Sequence, residues 1–141
     1  MKTVAQLLKS KAASPISVRP DVSVIDAARV LAERNIGAVL VMDGTRLVGI
    51  FSERDLVKKF VVNGAPSDMK VSDVMTQQVV FVTPVQTNED CMALMTDKRV
   101  RHLPVVDNGR VVGVLSIGDL VKDVISEQQF IISQLENYIH R

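Results

Sequence analysis

The sequence contains no tryptophan, one tyrosine and four phenylalanines among its 141 residues. A hydrophobic core of this chain must therefore be built from aliphatic side chains, because 47% of the residues are hydrophobic but only 4% are aromatic. The single cysteine, Cys91, excludes a disulfide framework and a cysteine-rich metal site within one chain. The length is that of one domain, which can bury a core without covalent cross-links.

Excess charge and long apolar runs are also missing. The formal net charge is +1, from 17 basic and 16 acidic residues, so the chain has no general attraction to nucleic acid or to anionic membranes. The apolar run in residues 1–8 is too short for a signal sequence, and no stretch approaches the roughly 20 apolar residues of a membrane span. We therefore expect a cytoplasmic protein with no nucleic-acid or membrane partner.

One segment of the sequence occurs twice. Residues 49–58 read GIFSERDLVK, and residues 113–122 read GVLSIGDLVK. A constant shift of 64 residues (119 − 55) also aligns Asp43 with Asp107 and Pro20 with Pro84, and it needs no gap between residues 18 and 61. Because solenoids generally require three or more repeats, two copies predict a closed pair with pseudo-twofold symmetry.

The pattern within each repeat predicts the order β-α-β-β-α. Residues 16–18 favour a strand, and the apolar spacing after Ser23 predicts an amphipathic helix. Residues 38–42 form an unbroken apolar run that indicates a strand buried on both faces. The Asp-Gly at 43–44 and the Asn-Gly at 108–109 mark hairpin turns. The predicted class is thus α+β, with further short helices at residues 4–8 and 71–75.

The last helix continues past the second repeat. Its seam residues step by four and three towards the C-terminus: Val121, Ile125, Gln128, Ile132, Leu135 and Ile139. Such heptad-like spacing predicts packing, either against the protein's own core or against a second copy. In chain order, the predicted divisions are residues 1–66 for the N-terminal helix and first repeat, 67–126 for the second repeat and 127–141 for the helical extension.

Each repeated segment carries Ser-x-x-Asp where a strand turns into a helix. The simplest interpretation is a capping box, which stabilises a helix by about 1 kcal/mol and needs no ligand. A carboxylate at this position could also accept hydrogen bonds from the vicinal diol of a ribose. Since the aspartate already places negative charge at the helix N-terminus, phosphates should point away from it, towards cations such as Arg54, Arg101 and His102.

Taken together, these motifs resemble a family. The second repeat reads RHLPVVDNG at residues 101–109 and G-x-x-S-x-x-D-L at 113–120, and the first repeat matches at residues 18–21, 41–44 and 49–56. The chain resembles, over about residues 3–126, a free-standing pair of CBS domains (named after cystathionine β-synthase), known as a Bateman module. This resemblance implies two β-α-β-β-α units packed through their sheets, with clefts for adenosine ligands such as AMP, ATP or NAD(H).

The resemblance also implies roles for particular residues. The ribose would be held by Ser52, Asp55, Ser116 and Asp119, and the phosphate by Arg54, Arg101 and His102. Adenine would lie against backbone and apolar groups of Val18, Ile36, Gly37, Ala38, Val82, Leu103 and Pro104. Arg101 and His102 align with Gly37 and Ala38, whereas Glu53 and Arg54 align with Ile117 and Gly118, so the two sites should differ in charge.

The residues distinguish three classes of function. An enzyme is disfavoured because the sequence has two distant histidines, no glycine-rich phosphate loop and no dense cluster of acids, and because Cys91 occupies an apolar helix position typical of a small buried residue. The preferred hypothesis is a regulatory module without a catalytic cofactor, which binds an adenosine compound, forms a homodimer and signals to an effector protein. The alternative is a purely structural dimerisation module with no nucleotide ligand.

Overall fold

The structure is a computed structural model that describes residues 2–11 and 14–140. These residues divide into two compact units. The first unit contains residues 14–80 and 108–111, and the second contains residues 2–11, 81–107 and 112–140. The units therefore interleave along the chain: the N-terminal helix belongs to the unit of the second repeat, and residues 67–80 belong to that of the first.

The helices and strands follow the predicted order. They are α1 (Val4–Ser10), β1 (Ser17–Val18), α2 (Val24–Arg34), β2 (Ala38–Asp43), β3 (Arg46–Ser52), α3 (Glu53–Asp55), α4 (Asn88–Lys98), β4 (His102–Asp107), β5 (Arg110–Ser116) and α5 (Ile117–Ile139). After α3 the chain continues with π-helical turns over Leu56–Val61, and the helix predicted at residues 71–75 is a single 3₁₀ turn, Val71–Asp73. The α+β class and the tandem repeat are confirmed.

In the first unit, the three strands form one sheet in the order β1-β2-β3. Strand β1 runs parallel to β2, and β3 returns antiparallel to β2 through the predicted Asp-Gly turn. Gly44 in that turn has φ of 63°, a conformation that glycine adopts without the penalty of a Cβ. Residues 38–41 are buried, as expected for a central strand with apolar side chains on both faces.

The second unit repeats this arrangement with a shorter sheet. Strands β4 and β5 pair with each other, and Val82 forms a parallel bridge to Val105 at the place where β1 pairs with β2 in the first unit. Helix α1 joins this unit through backbone hydrogen bonds from Val4 to the carbonyl of Gln86 and from Ala5 to the carbonyl of Pro84. The N-terminal segment is thereby fixed beside the second repeat.

Equivalent positions fill both cores with different side chains. Ala27 of α2 corresponds to Cys91 of α4, and both are fully buried. Phe51 of β3 corresponds to Leu115 of β5, and these too are fully buried. The aliphatic core predicted from the composition is confirmed, and within the described part of the chain Phe51 is the one aromatic residue among the fully buried large side chains.

Candidate functional site

The first Ser-x-x-Asp junction joins β3 to α3. Ser52 caps the helix: its hydroxyl accepts a hydrogen bond from the Asp55 backbone, and its own N–H donates to Asp55 Oδ2 at 3.0 Å. The Ser52 hydroxyl lies 3.1 Å from the same oxygen. Two further donors face Oδ1, namely the Thr76 hydroxyl and the Lys59 ammonium, each at 3.2 Å. The Asp55 carboxylate is thus almost enclosed, with 8% of its side chain exposed.

The second junction joins β5 to α5 and has the same capping box. The Ser116 N–H donates to Asp119 Oδ2 at 2.8 Å, and the Ser116 hydroxyl accepts from the Asp119 backbone. Here the cation is Lys11, whose Nζ donates to Asp119 Oδ2 at 2.9 Å and to the Val114 carbonyl at 2.7 Å. The Asp119 side chain is 26% exposed, so it is both more open and less fully bonded than Asp55.

Two opposing effects act on the charge of Asp119. Partial burial tends to raise the pKa of its carboxyl, but the hydrogen bond from the Ser116 backbone and the nearby Lys11 ammonium lower it further than burial raises it. The net result is a pKa below the ordinary value of 3.8. Asp119 is therefore an anion at neutral pH, and both of its carboxylate oxygens are hydrogen-bond acceptors.

The start of the preceding strand lies beside each junction. The Gly37 carbonyl accepts a hydrogen bond from the Glu53 N–H at 3.0 Å, and Ala38 pairs with Ser52 across β2 and β3. In the second unit, the Arg101 carbonyl accepts from the Ile117 N–H at 2.9 Å. The structure therefore brings Gly37 and Ala38 to the Asp55 junction, and Arg101 and His102 to the Asp119 junction.

The residues predicted to meet phosphate are divided between the units. Arg54 is exposed in the first turn of α3, directly before Asp55, and Arg101 is exposed directly before β4. His102 is half-buried at the first position of β4. An arginine precedes β4 where a glycine precedes β2, and the difference in charge between two ligand sites stays a prediction.

The residues predicted to contact adenine differ in how much of them is accessible. Val82 and Leu103 are fully buried, and Pro104 is buried as well, so a ligand could meet them through their backbone groups. Val18 is half-buried and pairs with Val41. Ile36 is also half-buried, and it lines a mainly apolar cavity of about 400 Å³ together with Leu31, Ala32, Leu56 and Glu53 among others. Of these predicted residues, Ile36 is the one that lines this cavity.

Three residues that contact the junction aspartates were not predicted from the sequence, namely Lys11, Lys59 and Thr76. Lys59 stands four residues after Asp55, a spacing that brings side chains together on a helix and could have been noticed. Lys11 and Thr76 lie 108 and 21 residues from the aspartates they contact. No local pattern predicts such contacts.

A second polar cluster lies close to the Asp119 junction. Asp123 is 6% exposed and accepts a hydrogen bond from the Asn88 amide at 2.7 Å, while the Lys2 ammonium lies 3.4 Å away. Asp119 and Asp123 both line a cavity of about 360 Å³ in the second unit. The other lining residues include three lysines and two serines: Lys2, Lys11, Lys122, Ser10 and Ser126.

Other reactive groups offer little chemistry. Cys91 is fully buried, and burial together with the neighbouring Asp90 raises the pKa of its thiol to about 11, so it is a weak nucleophile at neutral pH. In residues 2–11 and 14–140, no group of three or more His, Cys, Asp or Glu side chains could hold a metal ion. None of the helices described is long and apolar enough to cross a membrane.

Comparison with known proteins agrees with this architecture. The family model described as "CBS domain" matches residues 5–62 and again residues 71–126. The two matches cover most of the chain and coincide with the two repeats that carry the Ser-x-x-Asp junctions. The chain therefore belongs to the CBS domain family, and it contains a tandem pair of such domains.

Individual relatives place it among CBS-domain pair proteins. The mitochondrial CBS domain-containing protein CBSX3 of Arabidopsis thaliana is 35% identical, over 97% of this chain and 71% of its own length. The crystal structure of the CBS domain NE2398 is 52% identical, covers 88% of this chain and 98% of its own, and superposes with a TM-score of 0.84. A CBS domain protein from Pyrobaculum aerophilum, solved in complex with AMP, is 26% identical with a TM-score of 0.75, over 83% of this chain and 88% of its own.

Proposed function

We propose that this chain is a regulatory module that binds an adenosine-containing ligand and passes the signal to a partner protein. The observation that carries the proposal is the pair of junctions in which a strand ends at a serine and a helix begins with a bonded aspartate. Membership of the CBS domain family and the AMP complex of the relative from P. aerophilum support it. The proposed ligands are AMP, ATP and NAD(H), with AMP the first to test.

In this proposal each aspartate holds the ribose of one ligand. The carboxylate accepts hydrogen bonds from the vicinal hydroxyls, and Ser52 or Ser116 lies beside it as a further polar group. Adenine would lie against the start of the strand that adjoins the junction, including Ile36, Gly37 and Ala38 in the first unit. The phosphates would point away from the carboxylate, because like charges repel.

The cations divide the proposed sites by charge. Arg101 directly precedes β4 and His102 is its first residue, beside the Asp119 junction. Gly37 and Ala38 stand at the equivalent places beside Asp55. Arg54 is the proposed phosphate partner near Asp55 and has a glycine, Gly118, as its counterpart near Asp119. A guanidinium can bind phosphate with two parallel hydrogen bonds, so each arginine is suited to this role.

A thermal-shift series tests the proposal. AMP, ADP, ATP, NAD, NADH and S-adenosylmethionine would each be titrated against the full chain, with GMP as a control that keeps the ribose phosphate and changes the base. A ligand at 100 times its Kd stabilises the folded protein by about 2.7 kcal/mol if it binds only that state. We expect AMP to raise Tm and GMP to leave it unchanged. The absence of any shift with every adenosine compound would contradict the proposal.

A structural role in dimerisation is the second candidate, and the C-terminal helix favours it. Every described residue from Ile125 to His140 is exposed, although five of the six seam residues predicted from the sequence lie in this part of α5. The exposed fractions are 48% for Ile125, 54% for Ile132 and 57% for Leu135. The seam does not pack on its own unit, so we propose that it packs on a second copy of the chain.

The width of the apolar face supports this assignment. Ile131 and Tyr138 flank the seam and are exposed to 51% and 76%, so the face is broader than a strict two-position heptad stripe. Gln128 stands within it, where a polar side chain can fix the register of two helices at some cost in stability.

Ending the chain after Val124 should convert a dimer into a monomer, as measured by light scattering. A variant Lys122→Ala, on the same helix before the cut, serves as the control, and a shortened chain that stays dimeric would contradict this role.

A further inference from the structure

Lys11 occupies the carboxylate that the proposed function assigns to ribose. Its ammonium lies 2.9 Å from Asp119 Oδ2 and 2.7 Å from the Val114 carbonyl, so two oxygens hold it in place. The Lys11 side chain is 33% exposed, so its ammonium is only partly solvated and depends on these two acceptors for the rest of its hydrogen bonds. A ligand that takes the carboxylate must therefore displace Lys11 or leave it a new partner.

The first unit has no lysine in the corresponding segment. Leu8 packs against Gly113 as Met75 packs against Gly49, since a Cβ on either glycine would lie 2.5 Å from the nearest atom of that side chain. Residues 71–78 of the first unit therefore correspond to residues 4–11 of the second, and residue 78 is a glutamine. There the cation on the aspartate is Lys59, one turn along the same helical segment. Its counterpart in the second unit is Asp123, which cannot serve Asp119. Lys11 thus replaces a local cation with one from a separate segment.

The surroundings of Lys11 give its ammonium a place to go. The cavity of about 360 Å³ beside Asp119 includes Lys11 and Lys122 in its lining, together with Ser10 and Ser126. Lys2 also lines it, but it lies 3.4 Å from Asp123. A phosphoryl group bound near Asp119 would meet the displaced Lys11 ammonium in a region that already contains a second lysine.

We propose that Lys11 is the specificity residue of the Asp119 site, where it is displaced by ribose and favours ligands that carry an anionic group. The inference rests on the proposed function. A neutral nucleoside that binds Asp119 leaves the Lys11 ammonium without a counterion. The affinity of the protein for such a nucleoside is therefore reduced. A nucleotide offers phosphate oxygens in exchange for the carboxylate, since a charge-assisted hydrogen bond of the same kind forms again. Lys11 therefore favours AMP over adenosine.

The test compares adenosine with AMP by isothermal titration in wild type and Lys11→Met. We expect Lys11→Met to bind adenosine about tenfold more tightly and AMP within threefold of wild type, because the variant removes a competitor in both cases but a phosphate partner only for AMP. Lys11→Gln, which keeps a donor for the Val114 carbonyl without the charge, should behave in the same way and guards against loss of folding. Lys9→Met, in the last turn of α1 and two residues before Lys11, is the matched control and should bind as wild type does.

The outcomes separate this inference from the proposed function. If wild type binds AMP but Lys11→Met leaves adenosine affinity unchanged, or weakens both ligands equally, the role of Lys11 is wrong while the proposed function stands. If neither wild type nor Lys11→Met binds either compound, both fail. In an Asp119→Ala background the effect of Lys11→Met should fall below twofold; an effect that persists there would show that Lys11 acts elsewhere and would also overturn the inference.

Discussion

Asp55 and Asp119 occupy equivalent positions of the repeat, yet their surroundings differ. Asp55 meets Ser52, Thr76 and Lys59 and exposes 8% of its side chain, whereas Asp119 meets Ser116 and Lys11 and exposes 26%. The local fold of the two junctions is the same, because each serine caps its helix through the same pair of hydrogen bonds. What differs is the source and number of the other donors.

We infer from this difference that one junction contributes more to stability and the other more to ligand binding. A carboxylate that satisfies several enclosed donors contributes mainly to stability, because its loss leaves them unpaired. A more open carboxylate with one exchangeable cation can accept a ligand at lower cost. We therefore expect Asp55 to matter more for folding and Asp119 to matter more for binding.

Alanine at each aspartate gives the largest expected effect. Asp55→Ala should lower the free energy of unfolding by about 3 kcal/mol, since it removes a cap and leaves Thr76 and Lys59 without an acceptor, whereas Asp119→Ala should lower it by about 1 kcal/mol. For AMP affinity we expect the reverse order, with the greater loss in Asp119→Ala. Urea denaturation and isothermal titration measure the two quantities.

Asp26→Ala is a suitable control for both variants. Asp26 also stands at the third position of a helix with a serine cap, but its side chain is 61% exposed and its cation partner, Arg29, is exposed as well. We expect a change in stability of less than about 1 kcal/mol and no change in binding. If Asp55→Ala were no more destabilising than this control, the burial and hydrogen bonds of Asp55 would add nothing to the free energy of unfolding.

Serine variants separate the shared part of the junctions from the part that differs. Ser52→Ala and Ser116→Ala should each cost about 1 kcal/mol of stability, because both remove the same capping hydrogen bond. The measurement is again urea denaturation, with Ser126→Ala, an exposed position within α5, as the control. Unequal costs would mean that the hydrogen bond from the Ser52 hydroxyl to Asp55 Oδ2, which has no counterpart among the hydrogen bonds described at Asp119, contributes measurably.

The shared part of the junctions is also the part that the sequence could predict. Capping by Ser52 and Ser116, the buried strand at residues 38–42 and the hairpin turns depend on neighbours within a few residues, where spacing determines geometry. The repeat then extended each local prediction to a second copy. The family resemblance, and with it the order of elements, followed from the same local motifs and is confirmed.

The part that differs depends on contacts distant in sequence. Lys11 contacts Asp119 from 108 residues away, and the repeat does not predict this contact, because the segment of the first unit that corresponds to residues 4–11, residues 71–78, contains no lysine. Nor could the spacing of the C-terminal seam say whether it packs on its own core or on a second copy, since both require an apolar face. Because Ile125, Ile132 and Leu135 are exposed, the seam does not pack on the core of its own unit.

The smallest expected effect concerns the charge of Asp119. Because its pKa lies below the ordinary value of 3.8 in the folded protein, the ionised carboxylate contributes stability that is fully present above that ordinary, unfolded value and is lost as the pH falls through the folded pKa. Asp119→Asn keeps a hydrogen-bond acceptor but not the charge. The free energy of unfolding of wild type should exceed that of Asp119→Asn by about 0.5 kcal/mol at neutral pH, which is a typical contribution of a part-exposed ion pair.

That advantage should stay constant from pH 7 to about pH 5 and shrink below about pH 4, as the wild-type carboxyl becomes protonated and loses its attraction to Lys11. Urea denaturation of both proteins at pH 7, 5, 4 and 3 measures it, with Asp26→Asn run in parallel as an exposed carboxylate of the same helical position. A difference between wild type and Asp119→Asn that does not change with pH would assign the advantage to hydrogen-bond geometry. The Lys11 ion pair would then contribute nothing to folding, and its cost of displacement by a ligand would be correspondingly small.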